Sequence, residues 1–278
     1  METISIGKMF QKESSLHEQI VTTGIQSLDD IILGMRPSEL VVIGGRPGMG
    51  KTSLALNMAF YEAVKETSVL YFALDATEGQ IANALLSIGG RIPYREIILA
   101  KLTDIRSERI RESITYLSEL PLYFNFSSAI HITDLVSYIR EAVELQHVRV
   151  VYIDYLQFIA KDENQVDCVI SEICYQLKIL AKELQISIVL LSELNRQVEY
   201  REGYDGKIPQ LSDLYGSARI EELADKVLMV FRPEYYKIFV DIDGNDLRNV
   251  MQIHILKNKD GSSGIMNLFF DNKTLKIY

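Results

Sequence analysis

The chain has 278 residues, 47% of them hydrophobic and 24% charged, with a formal net charge of −9 at pH 7. That length suits one large α/β domain with a proper core, and the acidic balance argues against a general nucleic-acid-coating surface while leaving room for a localised channel. No run of about 18 apolar residues marks a membrane span, Met1–Ser5 lacks the basic-then-apolar pattern of a secretory signal, and Cys168 and Cys174 have no Cys or His at zinc spacing, so the chain reads as cytoplasmic with two free buried thiols.

Residues 1–20 are polar with scattered apolar positions (Ile4, Ile6, Met9, Phe10) and read as an arm or short linker helix that docks on a neighbour. From residue 21 to 278 strands and helices alternate as one domain. The first apolar strand, Leu40–Ile43, runs into Gly45-Arg46-Pro47-Gly48-Met49-Gly50-Lys51-Thr52-Ser53, and an amphipathic helix Ser53–Thr67 follows. Gly45, Gly50, Lys51 and Thr52 fit the phosphate-loop template G-x-x-x-x-G-K-[ST] without a mismatch, in the strand–loop–helix context that the template needs. The helix start offers free N–H groups and the positive end of a dipole to a polyphosphate. The glycines let the backbone approach it closely. Lys51 is expected on the β- and γ-phosphates of a nucleoside triphosphate and the Thr52 hydroxyl on Mg²⁺.

Strand Val69–Leu74 ends in Asp75, helices are expected over Gln80–Gly89, Arg95–Ala100 and Thr103–Glu119, and strand Leu122–Asn125 and helix Ile132–Leu145 follow. The β-branched run Val148–Ile153 ends in Asp154, placed to reach Mg²⁺ through a water. Helix Val166–Leu184 leads to strand Ser187–Leu191 and then to Glu193. The remaining elements are helix Ile220–Leu223 and strands Lys226–Phe231, Met251–Lys257 and Ile265–Phe270, the last of them close enough across Gly244-Asn245 and Gly261–Gly264 to run antiparallel. Strands alternating with helices predict a mostly parallel central sheet with right-handed crossovers. Such a sheet gathers function at the carboxyl ends of its strands. Asp75 is therefore a candidate general base for the attacking water and Glu193 a candidate sensor of the γ-phosphate; each also fits a solvated loop acid.

Several stretches taken together resemble the C-terminal motor domain of DnaB-type replicative DNA helicases. They are VTTGIQSLDDIILGMRPSELVVIGGRPGMGKTSLALNMA, VVYIDYLQFI, SEICYQLKILAKEL, LSELNRQVEYREG and LSDLYGSARIEELADKVLMVFRPEYY. The likeness runs from about residue 18 to the end. Ile153-Asp154-Tyr155-Leu156-Gln157 and the segment opening with Arg232 are narrower signals than the phosphate loop. The resemblance implies a RecA-like phosphate-loop NTPase fold, a hexameric homo-oligomeric ring with ATP sites between subunits, and single-stranded DNA threaded through it. It also implies replication proteins as partners. The family's separate N-terminal helical domain has no counterpart in these residues.

Carried over position by position, Lys51 and Thr52 match the phosphate-loop pair, Asp154 the Walker B acid, and Arg232 belongs to the nucleotide site. Four positions depart from the family pattern. Asp75 stands where the family has a catalytic glutamate, Glu193 where it has a glutamine, and Lys257-Asn258-Lys259 where it has Lys-x-Arg reaching the neighbour's γ-phosphate. Tyr215 replaces the arginine of the DNA-contacting loop, which leaves Arg219 and, in the loop after Asp154, Lys161 as the candidate DNA contacts. Asp for Glu shortens the reach by about 1.5 Å, and a 1 Å misplacement costs about a hundredfold. Lys for Arg keeps charge but loses the planar fork, in a role worth roughly 10³–10⁵ in rate.

Two functions are consistent with these residues. One is an ATP-driven DNA helicase or single-stranded DNA translocase acting in replication. The other is a RecA-like nucleotide-binding assembly with weak hydrolysis and a regulatory or scaffold role. A plain metabolic kinase lacks a visible substrate-pocket signature.

Overall fold

The computed structural model describes residues 6, 20–99, 104–128, 130–159, 166–214, 216–241 and 243–278. The arm 1–20, apart from residues 6 and 20, lies outside them, as do Lys161 and Tyr215.

Among the described residues nine strands form one sheet: β1 Leu40–Gly45, β2 Val69–Ala73, β3 Leu122–Asn125, β4 Val150–Asp154, β5 Ser187–Glu193, β6 Lys226–Phe231, β7 Val250–Asn258, β8 Gly264–Asp271 and β9 Lys276–Ile277. Their order is β3-β2-β4-β5-β1-β6-β7-β8-β9. The pairings from β3 to β6 are parallel. Those from β6 to β9 are antiparallel, as the close spacing of the last strands predicts. The α/β class and all eight expected strands are present; β9 is an addition.

The helices are α1 Gln26–Ile32, α2 Lys51–Val64, α3 Glu78–Gly90, α4 Tyr94–Ile98, α5 Asp104–Ser118, α6 Ile132–Gln146, α7 Val166–Leu184, α8 Gly203–Lys207 and α9 Ser217–Leu223. Successive strand residues point to opposite faces. Val41 and Ile43 therefore pack with Leu28 of α1, Leu54 of α2 and Ile88 of α3, while Leu40 and Val42 pack with Ile139 of α6, Leu177 of α7 and Ile220 of α9. With both faces covered, the central strands read as continuous apolar runs rather than alternations.

Short elements escape that reading. β9 has two residues, paired antiparallel with β8, and Asn57 of α2 ties it to that helix, donating to Leu275 O at 2.8 Å and accepting from Ile277 N at 3.1 Å. The chain's end is thereby tied to the helix that follows the phosphate loop. The cysteines also need correcting: Cys174 is buried but Cys168 is exposed. Six residues along a helix are about 240° apart, so one packs on the sheet and the other faces water.

Candidate nucleotide site

β1 continues through Gly44 and Gly45, pairing with Ser192 and Glu193 of β5. The chain then turns through residues 46–50 into α2. Gly48 and Gly50 take φ of +78° and +95°, values that suit glycine. A Cβ on Gly50 would also come within 2.7 Å of Met251 Cε. Lys51 is only 8% exposed and its ammonium donates to Gly45 O at 2.8 Å. Burial lowers its pKa, with the carboxylates of Glu193 and Asp154 opposing the shift.

Asp154 closes β4, 5% exposed, at the same sheet edge. Burial raises its pKa; hydrogen bonds from Thr52 and Tyr71 and the charge of Lys51 pull it back. Asp75 follows β2 and is exposed. Burial pushes the Tyr155 phenol up to about 12, helped by the charges of Glu193, Asp75 and Asp154. Three acids from three strand ends thus act on both Tyr155 and Lys51, as expected where a parallel sheet gathers its strand ends.

Arg232 follows β6 and lines a cavity of about 360 Å³ with Gly48, Lys51, Thr52, Ser53 and Phe270. Its guanidinium carbon lies 4.7 Å from the centre of the Phe270 ring and one nitrogen donates to Asn272 at 2.8 Å. Its Nε is buried with no hydrogen-bond partner, a donor suited to a ligand. Arg46 turns away from this cavity, donating to Glu199 at 2.9 Å and to Leu194 O at 2.8 Å. Pro47 and Met49 complete the loop, Met49 with its side chain buried.

Thr52 and Asp154 offer a hydroxyl and a carboxylate side by side. Among the described residues no group of three or more His, Cys, Asp or Glu is arranged for a metal ion. A sparse oxygen set of this kind fits Mg²⁺, which is commonly held by one or two protein oxygens together with substrate phosphates.

Lys257 and Lys259 stand apart from this cluster. β7 runs antiparallel to β6, so its last residues lie level with the start of β1, not its end. Lys257 donates to the carbonyls of Glu221 and Glu222 in the last turn of α9, and Lys259 pairs with Asp225. Arg219 is exposed on α9 and paired with Glu222 at 2.6 Å.

Sequence reasoning gave no role to Tyr71, Glu199 or the side chain of Gln157. Gln157 donates to Ser192 Oγ at 3.2 Å and accepts from Glu193 N at 3.3 Å, linking the turn after β4 to the end of β5. Its place beside Asp154 in the narrow motif was the available signal; Tyr71 and Glu199 had none.

The family model of the DnaB-like helicase C-terminal domain matches residues 20–278. The replicative DNA helicase DnaB of Rickettsia typhi is 32% identical, over 92% of this chain and 56% of its own length. Its counterpart from Geobacillus stearothermophilus is 31% identical, over 90% of this chain and 54% of its own. The chain thus spans little more than half the length of these relatives. Among solved structures, one described as an ATPase domain superposes with a TM-score of 0.88 at 26% identity, covering 99% of both chains. A DnaB-like replicative helicase, solved in a study of its interactions with primase, gives 0.85 at 26% identity over 99% of this chain and 67% of the other. Sequence, fold and the arrangement of the strand ends agree, and the chain belongs to the DnaB-like helicase C-terminal domain family.

Proposed function

We propose that residues 21–278 form the ATP-hydrolysing motor of a DnaB-type replicative helicase, working on single-stranded DNA in a head-to-tail, hexameric ring. The observation that carries this reading is the convergence of Lys51, Thr52, Asp154, Asp75 and Glu193 at one sheet edge, with Lys257 and Lys259 at the other. In this reading Lys51 and the loop N–H groups bind the phosphates, and Arg232 with Phe270 holds the base end of the nucleotide. Asp75 takes a proton from the attacking water, Glu193 reports the γ-phosphate, and a neighbour's Lys257 and Lys259 complete the site. Thr52 and Asp154 would hold Mg²⁺, which supplies charge neutralisation to the phosphates when bound. Arg219 and Lys161 are the candidate DNA contacts. Replication proteins are the partner class, with a primase suggested by the solved DnaB-like helicase. No helix among the described residues is long and apolar enough to cross a membrane. The family match weighs against the scaffold alternative with weak hydrolysis.

The test is steady-state ATP hydrolysis with and without single-stranded DNA, beside Lys51→Ala. Stimulation by DNA that disappears in the variant is the expected result. Hydrolysis that stays at the variant's level under all conditions, while nucleotide still binds, would reject the motor.

A further inference from the structure

Tyr71 is fully buried in the middle of β2. β2 and β4 pair with Tyr71 opposite Tyr152 and Ala73 opposite Asp154, so Tyr71 and Asp154 are diagonal neighbours on one face. Diagonal side chains start about 7–8 Å apart, a gap that a long aromatic side chain can span. The Tyr71 hydroxyl does so, donating to Asp154 Oδ2 at 2.8 Å. Its ring is held from both sides, stacked on Tyr152 at 5.6 Å and 12° and packed against Phe124 at 5.6 Å. The Tyr152 hydroxyl is occupied elsewhere, donating to the buried Glu62 at 2.7 Å. The backbone of Asp154 is fixed separately by the sheet, through Leu74 N at 2.9 Å. That ladder sets where the carboxylate is rooted; the phenol, from the sheet side, and the Thr52 hydroxyl, which is the other expected Mg²⁺ ligand, set how it is turned. A hydroxyl on a wedged ring is a rigid donor, and losing a group that orients a metal ligand typically costs about 10–100-fold in metal affinity.

We propose that Tyr71 is a positioning residue for Asp154, fixing the carboxylate's orientation and so setting the Mg²⁺ requirement of nucleotide binding at this site. The inference rests on the reading that Asp154 serves the metal. Tyr71→Phe removes one hydroxyl and keeps the ring and its stacking, so the fold is expected to persist, which the thermal midpoint without metal checks.

The experiment titrates Mg²⁺ into the full chain with a fluorescent non-hydrolysable ATP analogue, starting from chelated, metal-free conditions. Four proteins are compared: the parent, Tyr71→Phe, Tyr152→Phe and Asp154→Asn. Tyr71→Phe is expected to raise the half-saturating Mg²⁺ concentration by about tenfold or more, with metal-free analogue binding unchanged. Tyr152→Phe is expected to leave the Mg²⁺ requirement at the parent value. The proposal is overturned if Tyr71→Phe matches the parent, if it weakens binding equally with and without metal, or if Tyr152→Phe produces the same rise. A normal Mg²⁺ requirement in Asp154→Asn would remove the metal role of Asp154 and this inference with it. A raised requirement in Asp154→Asn alone would reject Tyr71 and leave the metal role standing.

Discussion

Lys259 Nζ lies 2.7 Å from Asp225 Oδ1, and the backbone N–H of Lys259 donates to Asp225 O. Asp225 in turn pairs with Leu40 at the start of β1. Lys51 follows the other end of that six-residue strand, roughly 20 Å away at about 3.3 Å per residue. One subunit therefore cannot bring both lysines to the same phosphate, and any shared role is between copies. Mixing Lys51→Ala with Lys259→Ala tests this directly. Each protein alone is expected to be inactive, and the mixture to regain hydrolysis where an intact phosphate loop meets an intact Lys259. A mixture no better than its parts would reject the trans assignment.

Asp75 is expected to govern turnover without governing nucleotide affinity. Loss of a general base typically costs about 10²–10⁴-fold, so Asp75→Asn should lower the rate at least hundredfold while analogue binding is retained. Asp75→Glu restores the missing methylene and should exceed the parent. Steady-state rates beside equilibrium binding check both, and an unchanged rate in Asp75→Asn would reassign this residue to the solvated loop.

His254 gives a pH prediction on stability. It is buried in β7 against Phe231, with Gln252 Oε1 at 3.3 Å from Nε2. Burial lowers its pKa from 6.5 to about 4. The unfolded chain therefore takes up a proton near pH 6.5 while the folded one does not, and folding loses free energy as pH falls from 6.5 to 4. The full effect is about 3 kcal/mol at 1.36 kcal/mol per pKa unit. The stability difference between parent and His254→Leu, followed by urea unfolding from pH 7 to 4, should change by this amount. A pH-independent difference would contradict the burial argument.

Asn57 is expected to matter for the fold out of proportion to its size. It is fully buried, donates to Ser53 O as well as to Leu275 O, and accepts from Ile277 N. Ser53 O keeps its helical bond from the backbone N–H of residue 57, but Asn57→Ala takes this partner from Leu275 O and Ile277 N–H, at a cost of about 3 kcal/mol. Urea unfolding at pH 7 measures it, and a change below about 0.5 kcal/mol, typical of a neutral surface site, would show that β9 is held by other contacts.

How far these features were legible depends on their distance along the chain. The phosphate loop is a local pattern, and continuous apolar runs gave the strands because both sheet faces are covered. Asp75, Asp154 and Glu193 were found together because a parallel sheet collects strand ends. Tyr71 meets Asp154 across 83 positions and Arg46 meets Glu199 across 153; no spacing rule anticipates either pair. α1 and β9 escaped because a seven-residue helix and a two-residue strand are fixed by tertiary contacts rather than by periodicity. The exposed Cys168 follows from helix geometry that was not applied to it.

The separation of Lys51 from Lys259 also makes ring closure a counting problem. In the proposed trans arrangement each copy would lend its lysine at one edge and borrow at the other, so an open row of n copies would hold n − 1 complete sites and a closed ring n. Closure would then add a working site without adding a subunit. Hydrolysis per subunit is expected to rise with row length and to make one further step when the last gap shuts.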